Sequence, residues 1–352
     1  MPEVKKNKKI VIIIFLLILF FSLAGIFYFK YFLNTDINTS NTDNSIENMN
    51  KTQIEIYKRN ERPIAVMIDN IGDAKPQIGL NEAYIVYEII VEGNQTRLMA
   101  LFKGKNLDIL GPIRSARHYF LDYALENDAI FIHYGWSPKA KKDIQDLNID
   151  NINGIVESTK SFWRIKNKIS PHNVVTSTNK ILEIIKRKKY RKTSIQESIL
   201  NYQSEELNLN SSIDAKNVNI PYSERYSVYY KYNEETGRYT RYNGDTNKGK
   251  LKNLIQKDLI TNEPITTKNI IITFANNTSI DDGTDKDRQN LINIGILDGY
   301  YITNGKAIKI KCKKKSRREQ TIYEDLHGNE IKVNDGNTFI QIVPLDTKII
   351  LE

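Results

Sequence analysis

Residues 84–91 read YIVYEIIV: five β-branched positions, two tyrosines and a single charge, Glu88. That is the composition of a strand. On either side lie two more candidates, the apolar run Ile64–Ile68 and the weaker Arg97–Phe102. Farther on the pattern changes period. Ala116–Glu126 places Phe120, Leu121, Ala124 and Leu125 on one side of a helix. Ala129–His133 is again strand-like and stops at Gly135. Ser137 and Pro138 then form an N-cap and first turn, opening a helix through about Leu147. Val174–Val175 and Asn179–Lys189 suggest a last strand and helix. Alternation of this kind predicts an N-terminal domain of α+β or α/β class over residues 58–202, built on a mixed sheet.

Past the polar stretch 203–216, read as a linker, the texture becomes strand-dominated. Ser227–Tyr232 and Tyr239–Tyr242 flank NEETG, a hairpin signal. Asn269–Phe274, Tyr300–Ile302, Ala307–Ile310, Thr321–Tyr323, Ile331–Val333 and Phe339–Val343 add further strands separated by Gly/Asn turns. Residues 217–352 are therefore expected to form a mainly β C-terminal domain, a small antiparallel barrel or sandwich. Each half is expected to fold by itself.

Upstream, residues 10–29 run twenty positions without a charge. As a helix that length covers about 30 Å, the hydrocarbon thickness of a bilayer. Lys5, Lys6, Lys8 and Lys9 precede the run and Lys30 follows it. The positive-inside rule then predicts a cytoplasmic tail at 1–9, a single transmembrane helix over 10–33, and an Asn/Thr/Ser/Asp-rich tether at 34–57 carrying the domains outside the cell membrane. Ser22 and Ala24 leave open cleavage as a signal peptide, which also exports the rest. The chain of 352 residues carries a formal charge of +9, and the part beyond residue 35 keeps +5. One cysteine, Cys312, excludes a disulfide framework, a CxxC zinc or redox site and an N-terminal lipidated cysteine.

The order of several motifs is similar to that of a known family. RPIAVMIDN (62–70), AKPQIGLNEAYIVYEIIVEGNQTR (74–97), GPIRSARHYF (111–120), HYGWSP (133–138) and PHN (171–173) resemble the N-terminal half of the YerB family of bacterial cell-surface proteins. YKYNEETGRYTR (230–241), GILDGYYITNGK (295–306) and GNEIKVNDGNTFIQIVP (328–344) resemble its C-terminal half. The resemblance implies an exported, membrane-tethered, two-domain protein with no established reaction. Many family members look like lipoproteins; this chain has no cysteine after its apolar run, which leaves the helix as anchor.

GPIRSAR is the sharpest candidate for chemistry. Arg114 and Arg117 fall at a predicted strand-to-helix junction, where unpaired amides and two guanidinium forks favour an anion such as phosphate, pyrophosphate or carboxylate. Arg97, His133, His172 and Asn173 are candidates for the same edge. Alternatively, the arginines pair with Asp69, Glu88 or Glu92 as structural ion pairs. The basic runs 186–192 and 311–318 suit wall polymers or anionic headgroups if exposed, and ordinary solvated faces otherwise. Outside the membrane a nucleic-acid partner is not expected. Asp281–Asp287 lacks the spacing of a calcium loop, and neither metal nor cofactor is expected. No GxxxxGK[ST], GxSxG, HExxH or GxGxxG occurs. The expected function is a membrane-anchored binding or scaffolding protein of the cell envelope, recognising an anionic wall component or an envelope protein. The alternative is an extracytoplasmic hydrolase or phosphoryl-group transferase using the Arg/His pocket.

Overall fold

The structure, a computed structural model, describes residues 60–245, 252–283 and 286–352, without the side chains of 245, 252 and 253. The expected cytoplasmic tail, membrane anchor and tether lie outside the described residues. Among the described residues no helix is long and apolar enough to cross a membrane.

Among the described residues eight strands precede the polar stretch or open it: β1 (Ile64–Asp69), β2 (Ile85–Ile90), β3 (Thr96–Phe102), β4 (Ile130–His133), β5 (Asn151–Asn153), β6 (Trp163–Arg164), β7 (Val174–Val175) and β8 (Tyr202–Gln203). Three helices join them: α1 (Phe120–Glu126), α2 (Pro138–Asp146) and α3 (Thr178–Arg187). The Ser137 hydroxyl accepts from the Ala140 amide at 3.2 Å, so the predicted cap opens α2. Helix α1 begins only at Phe120, four residues later than periodicity suggests. The preceding residues are held instead by extended pairing to β1 and to Gly135–Trp136.

The remainder supplies β9 (Ile213–Asp214), β10 (Asn217–Pro221), β11 (Tyr226–Asn233), β12 (Arg238–Asp245), β13 (Lys252–Ile255), β14 (Thr266–Thr267), β15 (Asn269–Ile280), β16 (Arg288–Ile292), β17 (Gly295–Thr303), β18 (Lys306–Lys314), β19 (Ile322–Glu324), β20 (Val333–Asn334), β21 (Thr338–Pro344) and β22 (Ile350–Leu351). The β17–β18 hairpin turns through Asn304 and Gly305, both at positive φ, as an Asn-Gly turn between twisted strands requires.

These strands do not close on themselves. Among the described residues the main sheet runs β19-β18-β17-β15-β21-β2-β3-β1-β4-β5. Strand β21 lies parallel to β15 on one side and to β2 on the other, so the C-terminal half completes the N-terminal sheet. A second, antiparallel sheet, β13-β12-β11-β10-β22, packs its inner residues Val218, Ile220, Val228 and Tyr230 into the cluster that also holds Val66, Ile68 and α3. On the opposite face α1 and α2 bury Phe120, Ala124, Ala140 and Ile144 with Met67, Tyr87, Tyr301 and Cys312. The halves therefore share one sheet and two cores, where the change of texture suggests separate ones. Among the described residues no free-standing antiparallel barrel forms, because β21 and β15 find parallel neighbours.

The stretch 203–216 is mostly exposed, yet it is tied down. The Leu207 amide donates to Asn334 Oδ1 at 2.6 Å, and β9 pairs with β18. The basic run 311–318 is largely spent on carboxylates rather than displayed. Lys314 is buried 2.7 Å from Glu126, Arg317 reaches Asp122 and Asp143, and Lys311 pairs with Asp298.

Candidate functional site

The antiparallel register of β1 and β3 sets Asp69, the last residue of β1, opposite Arg97 near the start of β3. Glu92 follows β2 in a short 3-10 turn, Glu92–Asn94. The segment beginning Gly111-Pro112, a cis bond, then crosses this end of the sheet. Gly111 has φ +148°, and a Cβ there would lie 3.0 Å from the Val174 carbonyl oxygen. Only glycine suits so close an approach. The Arg114 amide donates to Met67 O at 2.9 Å and the Ala116 amide to Gly135 O at 2.9 Å. These bonds fix the two arginines at the carboxyl end of β1.

Arg114 Nε lies 3.0 Å from Asp69 Oδ2, and His172 Nδ1 lies 2.7 Å from the same oxygen. Asp69 is 1% exposed, whereas a quarter of the Arg114 side chain faces solvent. Arg117 Nε donates to Glu92 Oε1 at 2.5 Å, and its Nη1 to Ala116 O at 2.7 Å. Arg97 Nη1 donates to Ser115 O at 2.5 Å, and Nη2 is 4.0 Å from Glu92. The hairpin arm of β15 and β16 reaches in from the C-terminal half. It brings Lys286 to the cleft wall and Arg288 Nε to 3.4 Å from Glu92 Oε1. Asp69, Glu92, Arg97, Arg114, Arg117 and Lys286 line an open cleft of about 400 Å³, with Arg288 and His172 behind its carboxylates.

Cations outnumber carboxylates here. Arg97, Arg114, Arg117, Lys286 and Arg288 surround Asp69 and Glu92, with Asp282 on the far side of Arg288. The crowding has a signature. Burial, and then the neighbouring Arg117 charge, pull the Arg97 guanidinium down to about 10. Burial pushes the Glu92 carboxyl up, but Arg117 and Arg97 outweigh it and hold Glu92 below its ordinary value. An anion entering the cleft relieves the mutual repulsion of the guanidinium groups and meets planar donors already oriented by buried partners.

Of the residues singled out in the sequence, Arg97, Arg114, Arg117, Asp69 and Glu92 come together, with His172 on Asp69. Asn173 supports the site from behind: it accepts from Arg164 at 2.6 Å and donates to the carbonyls of Ile165 and Lys168, bracing the loop that carries His172. Lys168 on that loop is close enough to Asp69 to feel its charge. His133 stands apart. It is fully buried, its ring nitrogens 2.8 Å from Gly135 O and 3.2 Å from Asn151 Oδ1, and its ring stacks on Phe131. Glu88 also lies elsewhere, in the core, paired with Arg241. Helix α1 has seven residues and starts beyond Arg117, so the expected helix-terminus contribution at Ser115 is absent; its hydroxyl donates to Tyr134 O at 3.0 Å. Lys286 and Arg288 were not foreseen. Their signal in the sequence is the basic pair within DDGTDKDR (281–288), where the aspartates dominate the composition.

Two family models match the chain. Residues 50–191 match the N-terminal domain, and residues 218–340 the C-terminal domain, of a protein of unknown function (DUF3048). The chain is 32% identical over 299 residues to "Putative lipoprotein YerB" of Bacillus subtilis (strain 168), covering 84% of each protein. The crystal structure of YerB protein from Bacillus subtilis superposes with a TM-score of 0.72 at 30% identity, over 85% of this chain and 96% of that one. The motif order, the two matched domains and the shared fold agree: the chain belongs to the YerB family.

Proposed function

We propose that this protein is a membrane-attached, extracytoplasmic component of the cell envelope that binds an anionic, phosphate-bearing group in the arginine cleft. The observation that carries this reading is the convergence of Arg97, Arg114 and Arg117 in one open cleft with fewer carboxylates than cations. The uncharged run at 10–29 supports attachment through a single N-terminal span, and the name of the Bacillus relative supports a place at the membrane. Pyrophosphate titrated into the full-length chain and into Arg114→Ala tests the site. Charge-assisted hydrogen bonds are worth roughly 1.5–3 kcal/mol, so affinity should fall about ten- to a hundredfold. Asp69 keeps His172 and the Ile71 amide as partners, so the melting temperature should move little. Unchanged affinity with a large fall in melting temperature would discard the cleft as a binding site and leave an ion pair. Protease added to wall-stripped intact cells tests the location: residues 60–352 should be digested without lysis.

A second reading rests on one observation, the His172–Asp69 contact beside Arg114. A buried carboxylate on Nδ1 orients a histidine as a general base. Nε2 would take a proton from water as the water oxygen bonds to phosphorus and the ester P–O bond breaks, with the departing oxygen protonated from solvent. Hydrolysis of a chromogenic phosphate ester, lost in His172→Asn while pyrophosphate still binds, is the expected result. No turnover by the wild-type chain removes this reading.

A further inference from the structure

The arginine cleft has a neighbour. A second cavity of about 470 Å³ lies where the loop after β1 meets β11, β12 and the segment following β13. The two cavities share Gln95 as a wall residue, and consecutive backbone positions, Ile71 and Gly72, line one and the other. The second cavity is also basic. Lys75, Arg225 and Lys257 line it, with Lys75 Nζ 4.8 Å above the Tyr226 ring. Its carboxylate, Asp258, is engaged by backbone: Oδ2 accepts from the Gly79 amide at 2.6 Å, and Oδ1 from the amides of Ile260 and Thr261 at 2.9 and 3.1 Å. That carboxylate is already taken up by donors of the protein's own chain. Cations therefore line two adjoining cavities. Each cavity falls within the roughly 300–1,000 Å³ typical of sites for whole small molecules, far more room than one phosphate fills.

We infer that the two cavities form one track for a linear polyanion with repeating phosphate groups, held at one end by Arg97, Arg114 and Arg117 and at the other by Arg225 and Lys257. The inference rests on the anion-binding reading of the arginine cleft and adds the class of ligand. A chain engaging both cavities gains by effective concentration, since its second contact is made without a second encounter. Because each engaged cation also displaces counterions from the polyanion, binding of the long ligand depends more steeply on salt.

The test uses the full-length chain in detergent, with pyrophosphate and long-chain polyphosphate as separate ligands. Wild type should bind the long chain about a hundredfold more tightly per molecule than pyrophosphate. Arg225→Ser with Lys257→Ser should remove about tenfold of that gain and flatten its salt dependence, while pyrophosphate affinity stays within about twofold. Arg114→Ala should weaken both ligands. Arg225 is exposed and Lys257 half-buried, and a matching melting temperature of the double variant confirms that its fold is intact. A double variant that does not weaken the long chain more than it weakens pyrophosphate overturns the track while leaving the arginine cleft in place. Pyrophosphate binding that is absent, or indifferent to Arg114→Ala, overturns the cleft and the track with it. Vesicles of phosphatidylglycerol form the last arm. If Arg225 and Lys257 govern vesicle binding and not the long polyphosphate, the ligand is a headgroup at a surface and the linear polymer is wrong.

Discussion

Glu88 and Arg241 lie 2.8 Å apart with neither side chain exposed, one on β2 of the main sheet and the other on β12 of the second sheet. The pair is embedded in further polar contacts. Thr96, Tyr226 and Asn70 all donate to Glu88 Oε1, and Arg241 donates to Gln256, which in turn donates to Gln77. A buried pair this well supplied makes its partners interdependent: either charge without the other is a desolvated ion with no neutralising neighbour.

Glu88→Gln should therefore cost about 3–5 kcal/mol of unfolding free energy, read from urea denaturation. Glu88→Met combined with Arg241→Met should recover part of that loss, because two apolar side chains leave no stranded charge. A double variant less stable than the single one would show that the surrounding tyrosines and amides, rather than the ion pair, hold the two sheets together.

The parallel pairing of β2 with β21 carries a second expectation. Expressed alone, residues 58–202 keep Ile85–Ile89 as an unsatisfied inner edge and expose the core face that meets β10 and β11. Neither 58–202 nor 217–352 should melt cooperatively, and mixing the two should restore a single transition. Two separate cooperative transitions from the isolated pieces would refute the shared core.

His133 predicts a pH effect away from the cleft. Burial pushes its imidazole down to about 4, with the Gly135 and Asn151 contacts opposing. The unfolded chain thus takes up a proton near pH 6.5 that the folded chain refuses until about 4. Stability is complete above the unfolded value and falls as pH drops through that window, by roughly 3 kcal/mol at most. Urea titrations at both ends of the window should show the loss in wild type and a clearly smaller one in His133→Asn. Equal losses in both would place the acid sensitivity in another group.

Cys312 should be chemically silent in the folded protein. Burial pushes its thiol up to about 12, and its buried sulfur accepts from the Thr273 hydroxyl at 3.2 Å. A thiol-reactive dye should label it in urea and leave it unmodified in buffer, since the thiolate is the reactive form. Rapid labelling in buffer would mean that the β17–β18 region opens readily.

Strand and helix positions were largely readable because they depend on local composition and period. Ile64–Ile68, Arg97–Phe102, the Ser137 cap and the Asn304-Gly305 turn all fall where their residues suggest. Neighbour relations were not, since nothing within Thr338–Pro344 identifies Ile85–Ile90 as the strand it will lie beside. The same division runs through the site. Arg97, Arg114 and Arg117 could be grouped because each sits at a strand end or beside a Gly-Pro turn. Lys286 reaches the cleft only because β15 and β16 extend as an arm across the other half. His133 was misplaced because a strand-end histidine looks the same in sequence whether its ring turns into the core or out to a cleft.

The position of β21 also sets an order on how the molecule comes into being. Synthesis proceeds from the N-terminus, so β2 waits for a partner that is made about 250 residues later. Until then an apolar strand edge lies open, the feature that invites wrong pairing and aggregation. Pairings so distant along the chain also slow folding. A chain stopped before Thr338 consequently lacks the middle strand of its own sheet and should be treated by quality control as unfinished.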